Sequence, residues 1–372
     1  MQILKADLAR VQAKYAVAAN YSLARRDPTY KLSKRVNAQA LTYDGDSLWT
    51  GPISVGTPPQ TYQVFFDTSS SDLSLADARC ADPSCEVKAR YNWNESSTAN
   101  ATAFNAESNW SFGNAGAGSV LLYLTPRPGF GLDRLLKVVN QDIVAQKVIG
   151  SWVSTRNADG VGLAFPDASA ARSRSFPLNL FMQKGAKTFS MRLSRAPGKS
   201  KIFFEGLDRT QVRSAPAFFP VTKDPDQEFR TYWQIASSTA CVNGTQAYGG
   251  RVRFILDSST AAIHAPSDAA SEFWSAVAGA QAEESGYWSY PCDQPPVVAL
   301  SFGGTNQRFA INPADFNLGP LSSDPTRCLG AVVGQDLNLW DSWLVGDCFF
   351  KNWFLTFDMS RSRIGISTPA NV

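Results

Sequence analysis

Short runs of apolar and β-branched residues, each ended by turn-forming residues, dominate this chain of 372 residues. Examples are Tyr62–Phe66, Lys201–Phe204 and Arg251–Leu256, whose patterns are typical of buried or half-buried strands. The better helix candidates are Pro177–Met182 and Asp268–Ala280. The pattern therefore predicts a mainly β protein with a few short helices, and no apolar run is long enough to span a membrane.

Two of the strand-like segments end in the same chemistry. Phe65–Ser71 and Phe254–Thr260 each run from apolar residues into an Asp that small hydroxyl residues follow. A carboxylate at the end of a buried strand is costly unless it is hydrogen-bonded or shares a proton. These matched contexts predict that the two halves of the chain bring Asp67 and Asp257 together as an acid/base pair, with one carboxyl protonated and one ionised.

The repeat extends beyond the two Asp segments. Ala158–Ala164 and Trp343–Asp347 each place an apolar residue before a Gly, at Gly162 and Gly346, roughly 90 residues after the corresponding Asp. One Asp-Ser/Thr pair near apolar residues is common by chance, but two copies with matched downstream segments are not. The spacing therefore predicts an internal duplication on the scale of a whole lobe.

From about residue 40 to its end, the chain resembles the pepsin-like aspartic proteases of fungi. Tyr43–Gly45 and Gly51–Gln60 resemble the first strands of that family. Leu344–Asp347, Phe357–Asp358 and Arg363–Ile366 resemble its C-terminal end. The resemblance implies a mainly β, bilobal, pepsin-like fold with the active-site cleft between two related β lobes.

The resemblance also implies a division of the chain into three parts. Residues 36–205 are expected to form the N-terminal lobe with the first catalytic Asp, and residues 206–372 the C-terminal lobe with the second. The chain is expected to cross between the lobes at Phe203–Asp208. Residues 1–35 resemble the family's propeptide.

The charge of the N-terminal segment sets it apart from the rest of the chain. Residues 1–35 hold eight Lys or Arg and two Asp, whereas the remainder is mildly acidic. One helical stripe is formed by Leu4, Leu8, Val11 and Tyr15. A basic amphipathic segment on an acidic body indicates an intramolecular cover of the cleft. We expect cleavage at the dibasic pair of residues 34–35; the alternative is a helix that packs on the body and is never removed.

Six cysteines indicate an oxidising compartment. We therefore expect a protein of the secretory pathway that is secreted or vacuolar. Residues 1–7 do not contain the apolar core of a signal peptide. Two Asn-x-Ser/Thr sites in a polar stretch, Asn94 and Asn100, are candidate glycosylation sites. The resemblance implies two disulfides, Cys80–Cys85 and Cys292–Cys328. The two remaining cysteines, Cys241 and Cys348, are either buried free thiols or a third bridge, and the sequence leaves both alternatives open.

In the family that the chain resembles, two Asp residues share one proton and position a water that attacks the scissile carbonyl. The resemblance assigns this catalytic role to Asp67 and Asp257. Like charges in close contact cannot both ionise cheaply, so the two carboxyls titrate as a pair. The hydroxyl residues that the resemblance assigns to locking the loops and supporting the carboxylates are Thr68, Ser70, Ser258 and Thr260.

Four positions depart from the family pattern. Ser69 and Ser259 each replace a Gly beside a catalytic Asp, so two added hydroxymethyl groups either narrow the cleft or hydrogen-bond to the carboxylates. In the segment that resembles the substrate-covering flap, Phe112 precedes Gly113 where the family has Tyr. Ser74 stands where the family usually has the Trp that bonds to this Tyr. These changes predict altered specificity.

Three hypotheses for the function remain. The first is an aspartic endopeptidase that hydrolyses peptide bonds at acidic pH. The second is a repurposed enzyme that uses the pair for dehydration or cyclisation of a fungal small molecule. The third is a non-catalytic binder. All three place a peptide or small molecule in the cleft of a monomer. No nucleic acid, membrane, cofactor or metal is expected, since the single histidine, His264, cannot by itself build a zinc site.

Overall fold

A computed structural model describes residues 11, 37–43, 48–99, 102–108, 111–117, 120–124, 136–146, 148–149, 159–204, 206–225 and 227–370. Within this part of the chain, strands greatly outnumber helices, so the mainly β prediction is confirmed. No helix among the described residues has the length and apolar character needed to cross a bilayer.

The strands of the first half of the chain are short, and most of them carry buried apolar residues. In chain order they are β1 Asn37–Ala40, β2 Thr42–Tyr43, β3 Trp49–Val55, β4 Gln60–Asp67, β5 Leu73–Asp77, β6 Arg90–Tyr91, β7 Thr102–Ser108, β8 Ser111–Ala117, β9 Val120–Leu124, β10 Lys137–Gln141, β11 Ile143–Gln146, β12 Val148–Ile149, β13 Asp159–Gly162, β14 Thr188–Arg192 and β15 Lys201–Phe204.

The second half continues in the same style. Its strands are β16 Ala217–Pro220, β17 Gln234–Val242, β18 Thr245–Leu256, β19 Ile263–Ala265, β20 Gln281–Ala282, β21 Trp288–Pro291, β22 Val298–Ser301, β23 Phe309–Ala310, β24 Asn317–Pro320, β25 Arg327–Gly330, β26 Val332–Gly334, β27 Trp343–Val345, β28 Phe354–Asp358 and β29 Arg363–Ser367. Among the described residues, the α-helices with complete bounds are α1 Phe176–Lys184, α2 Ser267–Ser275, α3 Pro313–Phe316 and α4 Asp347–Phe350. The 3₁₀ turns in the same ranges are Pro83–Cys85, Trp93–Glu95, Pro166–Ala168, Arg209–Gln211 and Glu284–Gly286.

Both predicted helices form, but the second is shorter than predicted. Helix α1 ends at Lys184, and the next residue, Gly185, has a φ of 70°, the left-handed conformation that terminates helices. Helix α2 ends at Ser275 and does not continue to Ala280. Beyond it, the N–H of Val277 bonds to the carbonyl of Trp274, three residues back, which is a turn and not an α-helical bond.

Three sheets organise the molecule. One, in the first half of the chain, has the order β10-β9-β3-β4-β13-β5-β11, with β2 and β6 at its margins. Another, in the second half, has the order β23-β22-β17-β18-β27-β19-β26. A third joins the halves in the order β1-β15-β14-β28-β29-β16, in which β14 from the first half pairs with β28 from the second. The described residues also form two smaller sheets, β12-β8-β7 and β20-β21-β25-β24.

The first two sheets contain the same three-strand arrangement. Strand β13 pairs parallel to β4 and antiparallel to β5, and β27 pairs parallel to β18 and antiparallel to β19. The predicted repeat is therefore present in the sheet topology. In the first copy Gly162 lies opposite Asp67, and in the second Val345 lies opposite Leu256, one residue before Asp257.

The same steric constraint explains why both repeat positions, Gly162 and Gly346, are glycines. A Cβ built on Gly162 would lie 2.3 Å from the backbone carbon of Ser71, and one on Gly346 would lie 2.2 Å from the carbonyl oxygen of Thr260. Backbone cannot move away as a flexible side chain can, so only Gly fits at these positions. The close approach presses each glycine segment against the loop that follows an Asp.

Candidate active site

Strand ends position the two Asp residues. Asp67 is the last residue of β4, and Asp257 directly follows β18. Their side chains are 3% and 0% exposed, respectively. The N–H of Asp257 donates to the carbonyl of Val345 at 3.0 Å, and the carbonyl of Asp67 accepts from the N–H of Leu163 at 2.7 Å. The repeated glycine segments therefore hold the backbone of both Asp residues.

Four hydrogen bonds lock the two Asp loops to one another. Thr68 Oγ1 donates to the carbonyl of Leu256 at 2.7 Å and accepts from the N–H of Ser258 at 3.0 Å. In the mirror-related pair, Ser258 Oγ donates to the carbonyl of Phe66 at 2.7 Å and accepts from the N–H of Thr68 at 3.1 Å. Both side chains are buried, so this network fixes the spacing of the two strands.

The Asp67 carboxyl receives donors on both oxygens. Its Oδ1 accepts from the N–H and the hydroxyl of Ser69, at 2.9 and 2.8 Å, and Ser259 Oγ lies 3.1 Å from the same atom. Ser70 Oγ donates to Oδ2 at 2.7 Å. Both carboxyl oxygens of Asp67 are therefore hydrogen-bonded within a buried site.

The Asp257 carboxyl has a related environment. The N–H of Ser259 donates to its Oδ1 at 2.9 Å, and Ser259 Oγ lies 2.9 Å from the same atom. Thr260 Oγ1 donates to Oδ2 at 2.7 Å. One hydroxyl, that of Ser259, therefore lies within hydrogen-bonding distance of both carboxyl groups. Hydrogen bonding of the added serines to the carboxylates, one of the two effects expected from them, is therefore present.

The flap-related positions are described in part. Ser74 is buried in β5, where it is paired with Val144 and Gly160. Phe112 and Gly113 lie on β8, which pairs with β7 and β12, and their side-chain environment lies outside the described residues. The structure thus places Ser74 next to the strand that carries the first repeat glycine.

Sequence reasoning missed a phenol close to the pair. Tyr232 is 8% exposed, and burial raises its pKa, with further increases from Asp224, Asp257 and Asp67. Both Asp67 and Asp257 are thus among the carboxyls that raise the pKa of Tyr232. Nothing in the local sequence of Tyr232 signals this position, because its neighbourhood is created by the folding of distant segments.

Two further buried contacts were also missed. The indole N–H of Trp49 on β3 donates to Asp347 Oδ2, which ties a strand of the first sheet to the second repeat-glycine segment. Lys88 Nζ lies 3.5 Å from Asp159 Oδ1, and the Lys88 side chain is fully buried. Burial raises the pKa of Asp159 from 3.8 to about 6, although the attraction of Lys88 lowers it.

The cysteines and candidate glycosylation sites are placed as follows. The structure has the disulfides Cys80–Cys85 and Cys292–Cys328. Two buried cysteines are free thiols and do not form a third bridge, namely Cys241 and Cys348. Asn94 is exposed at a 3₁₀ turn, and Asn100 lies outside the described residues.

The family model of the eukaryotic aspartyl proteases matches residues 48–369, which is most of the chain. The chain belongs to the eukaryotic aspartyl protease family. It is 28% identical over 365 residues to an aspartic protease of Phaffia rhodozyma, covering 95% of this chain and 84% of that protein. It is 29% identical to gastricsin of Callithrix jacchus, covering 93% and 88%, and 28% identical to cathepsin D of Bos taurus, covering 88% and 86%.

Membership of the aspartyl protease family confirms the resemblance and the pepsin-like bilobal fold that it implied. The family supports an aspartic, hydrolase-type enzyme with a peptide-binding cleft. The carboxyl pair, its loop lock and the two disulfides are the features of this chain that fit that class.

Proposed function

We propose that this protein is an acid-active aspartic endopeptidase in which Asp67 and Asp257 form the catalytic pair. The observation that carries the proposal is that both carboxyls lie within hydrogen-bonding distance of one oxygen, Ser259 Oγ, at the junction of the two repeats. Groups held this close can share a proton and act together on one bond.

The pair performs hydrolysis by general acid/base chemistry. The ionised carboxyl removes a proton from a water molecule as the water oxygen attacks the carbonyl carbon of the peptide. The protonated carboxyl gives its proton to the carbonyl oxygen, and the resulting tetrahedral intermediate collapses when a proton reaches the leaving amine. Thr68 and Ser258 maintain the spacing of the carboxyls, while Ser70 and Thr260 orient them.

We expect the substrate specificity of this protein to differ from that of aspartic proteases that have Gly at the positions of Ser69 and Ser259. Ser69 and Ser259 add side chains where the extended substrate backbone passes. Phe112 lacks the phenolic hydroxyl of the Tyr, and Ser74 lacks the indole N–H of the Trp, that the resemblance leads us to expect at these positions. We infer that the enzyme prefers small side chains or a turn at the scissile bond.

We further propose that residues 1–35 cover the cleft formed by lobes 36–205 and 206–372. In support, Val11 is fully buried in an apolar cluster with Tyr232 and Ile255 of the second lobe. Processing of such a cover takes place in the secretory pathway, and the disulfides fit that compartment.

A second candidate is acid/base chemistry on a small molecule, such as a dehydration or cyclisation. The observation that favours it is the position of Ser259 Oγ, which already fills a point between the carboxyls. Dehydration or cyclisation of a substrate that carries its own hydroxyl or carbonyl does not require an attacking water between the two carboxyls.

The test is peptide cleavage by the full chain, before and after incubation in acid, on a diverse peptide library from about pH 3 to about pH 7, read by mass spectrometry. Asp67→Asn and Asp257→Asn serve as matched controls. Cleavage by the wild type alone, blocked by a statine-type inhibitor, supports the endopeptidase. No cleavage by folded wild-type protein at any pH rejects it in favour of small-molecule chemistry or binding.

A further inference from the structure

A tryptophan in the first half of the chain is hydrogen-bonded to a carboxyl in the second half, and both side chains are buried. Trp49 lies on β3, and its indole N–H donates to Oδ2 of Asp347, the first residue of α4. An indole has one polar atom, and that atom only donates. A buried N–H that loses its acceptor is costly, so this bond fixes the position of Trp49 relative to Asp347.

The same two segments meet at a second point. The ring of Tyr43 on β2 packs against that of Trp49, with 4.8 Å between the ring centroids. Lys351, which directly follows α4, places its Nζ 5.3 Å from the centre of the Tyr43 ring. A cation at this distance from an aromatic face is attracted to it. Strands β2 and β3 therefore contact both ends of α4, at Asp347 and at Lys351, and we call these contacts the strap.

The strap is connected to the carboxyl of Asp257 through the loop that follows this residue. The N–H of Asp347 donates to the carbonyl of Thr260 at 2.7 Å, and the N–H of Cys348 donates to the carbonyl of Ala261 at 3.0 Å. Thr260 Oγ1 in turn donates to Asp257 Oδ2 at 2.7 Å. The segment that Trp49 holds is therefore bonded to the residue that supports the Asp257 carboxyl.

At its other end, the strap belongs to the strand that lies beside β4. Thr50, next to Trp49 on β3, is paired with Phe65, two residues before Asp67. Paired strands resist sliding past one another, because the hydrogen bonds of the ladder would have to break. The strap thus joins the strand pair that ends at Asp67 to the loop that supports Asp257, in addition to the hydrogen-bonded lock between the two Asp loops.

We propose that Trp49 is a positioning residue, whose bond to Asp347 aligns the Asp257 carboxyl with that of Asp67. The inference rests on the proposed catalytic pair. Two groups that act on one bond must both be held in the productive geometry, and a displacement of about 1 Å can cost a factor of about 100 in rate. The bond lies between the two halves of the protein and does not bind substrate, so its loss is expected to lower kcat and not to raise KM.

The test is Trp49→Phe in the full chain, which keeps an aromatic ring and removes the indole N–H. Hydrogen–deuterium exchange read by mass spectrometry reports on the amides of residues 346–348, which donate to the carbonyls of residues 260–262. We expect these amides to exchange about tenfold faster than in the wild type, although the substitution lies in the other half of the chain. This readout needs no peptide cleavage, so it decides the coupling even if the endopeptidase proposal fails. Unchanged exchange would overturn the proposal.

Peptide turnover separates positioning from ordinary support. On a peptide that the wild type cleaves, Trp49→Phe should lower kcat about tenfold or more and change KM less than about twofold. The matched control is Trp274→Phe, since Trp274 is also buried and its indole N–H donates to the carbonyl of Val332, in the same half of the chain, at 2.9 Å. The control should keep kcat and the exchange of residues 346–348 within about twofold of the wild type. A Trp49→Phe effect on KM alone, or an equal loss of kcat in the control, would contradict positioning.

A second pair of variants tests the same bond from the other half of the chain and does not depend on the folding of Trp49→Phe. Asp347→Asn keeps an oxygen that can accept from the indole N–H, whereas Asp347→Ala does not. Asp347→Asn should therefore retain a kcat about fivefold or more above that of Asp347→Ala, with slower exchange. Adding Trp49→Phe to Asp347→Ala should lower kcat no further, because the bond is already absent. Equal losses in the Asn and Ala variants, or additive losses in the double variant, would refute the proposal.

Discussion

Replacing Thr68 by Val probes the hydrogen bonds that hold the two Asp loops together. Valine has nearly the shape of threonine but neither donates nor accepts a hydrogen bond. The change removes the bond from Thr68 Oγ1 to the carbonyl of Leu256 at 2.7 Å and the bond that Oγ1 accepts from the N–H of Ser258 at 3.0 Å. Thr68 is fully buried, so water cannot readily take the place of the hydroxyl.

The expected loss of stability follows from these two bonds. A buried polar group that loses its partner costs about 1–3 kcal/mol, so two such groups lower the free energy of unfolding by about 2–6 kcal/mol. Whole domains are stable by only about 5–15 kcal/mol, so this loss is readily measured. We also expect turnover to fall, because the spacing of the two carboxyls depends on the same loops.

Urea unfolding followed by tryptophan fluorescence and circular dichroism measures the change through the transition midpoint and slope. The matched control is Thr61→Val on β4, since Thr61 is exposed and its hydroxyl contacts only the surface hydroxyl of Ser54 among the bonds described for it. The control should change stability by less than about 0.5 kcal/mol. A Thr68→Val variant that loses less than about 1 kcal/mol would refute the argument that this lock stabilises the lobes.

Three other outcomes are expected. Asp67→Asn should lower peptide turnover by a factor of about 100 or more, with an unchanged circular dichroism spectrum, because an amide cannot exchange the proton; an unchanged rate would contradict the catalytic pair. Ser69→Gly combined with Ser259→Gly should raise the initial rate of peptide cleavage by opening the cleft, and no increase would mean that another feature is limiting. Lys88→Met should lower the urea midpoint, with a loss of about 3–5 kcal/mol at about pH 7, because it leaves the Asp159 carboxylate buried and unpaired.

The pH dependence of the Lys88→Met effect follows from the direction of the Asp159 shift. The pKa of Asp159 is raised from 3.8 to about 6 in the folded protein, mainly by burial. Folding therefore favours the protonated form of Asp159. The stability that this protonated carboxyl contributes is fully present below about pH 4 and is lost as the pH rises through about 6. At about pH 4 the carboxyl is neutral and needs no cation, so the loss should be much smaller. An equal loss at both pH values would show that Lys88 acts through packing alone.

Local sequence was sufficient to predict the strands that end at the two Asp residues. Apolar runs that end in Asp and hydroxyl residues mark the ends of β4 and β18, because side-chain alternation and turn residues act over a few positions. The repeat glycines Gly162 and Gly346 were also recognisable in the sequence. Both copies of the repeat keep a Gly here because each position makes a close backbone contact. The length of α2 was not predicted correctly, because the turns that follow it have no strong local signal.

Tertiary structure alone decided which hydrogen-bond partners these residues have. Sequence left open whether Ser259 would narrow the cleft or bond to a carboxylate, and its contact with Asp67 joins residues almost 200 positions apart. The Lys88–Asp159 pair and the position of Tyr232 near the carboxyls were likewise invisible in the sequence. The physical reason is that a hydrogen bond requires two polar atoms about 3 Å apart, to within a few tenths of an ångström. For residues far apart in the sequence, this distance is set only when the strands that carry them pack together.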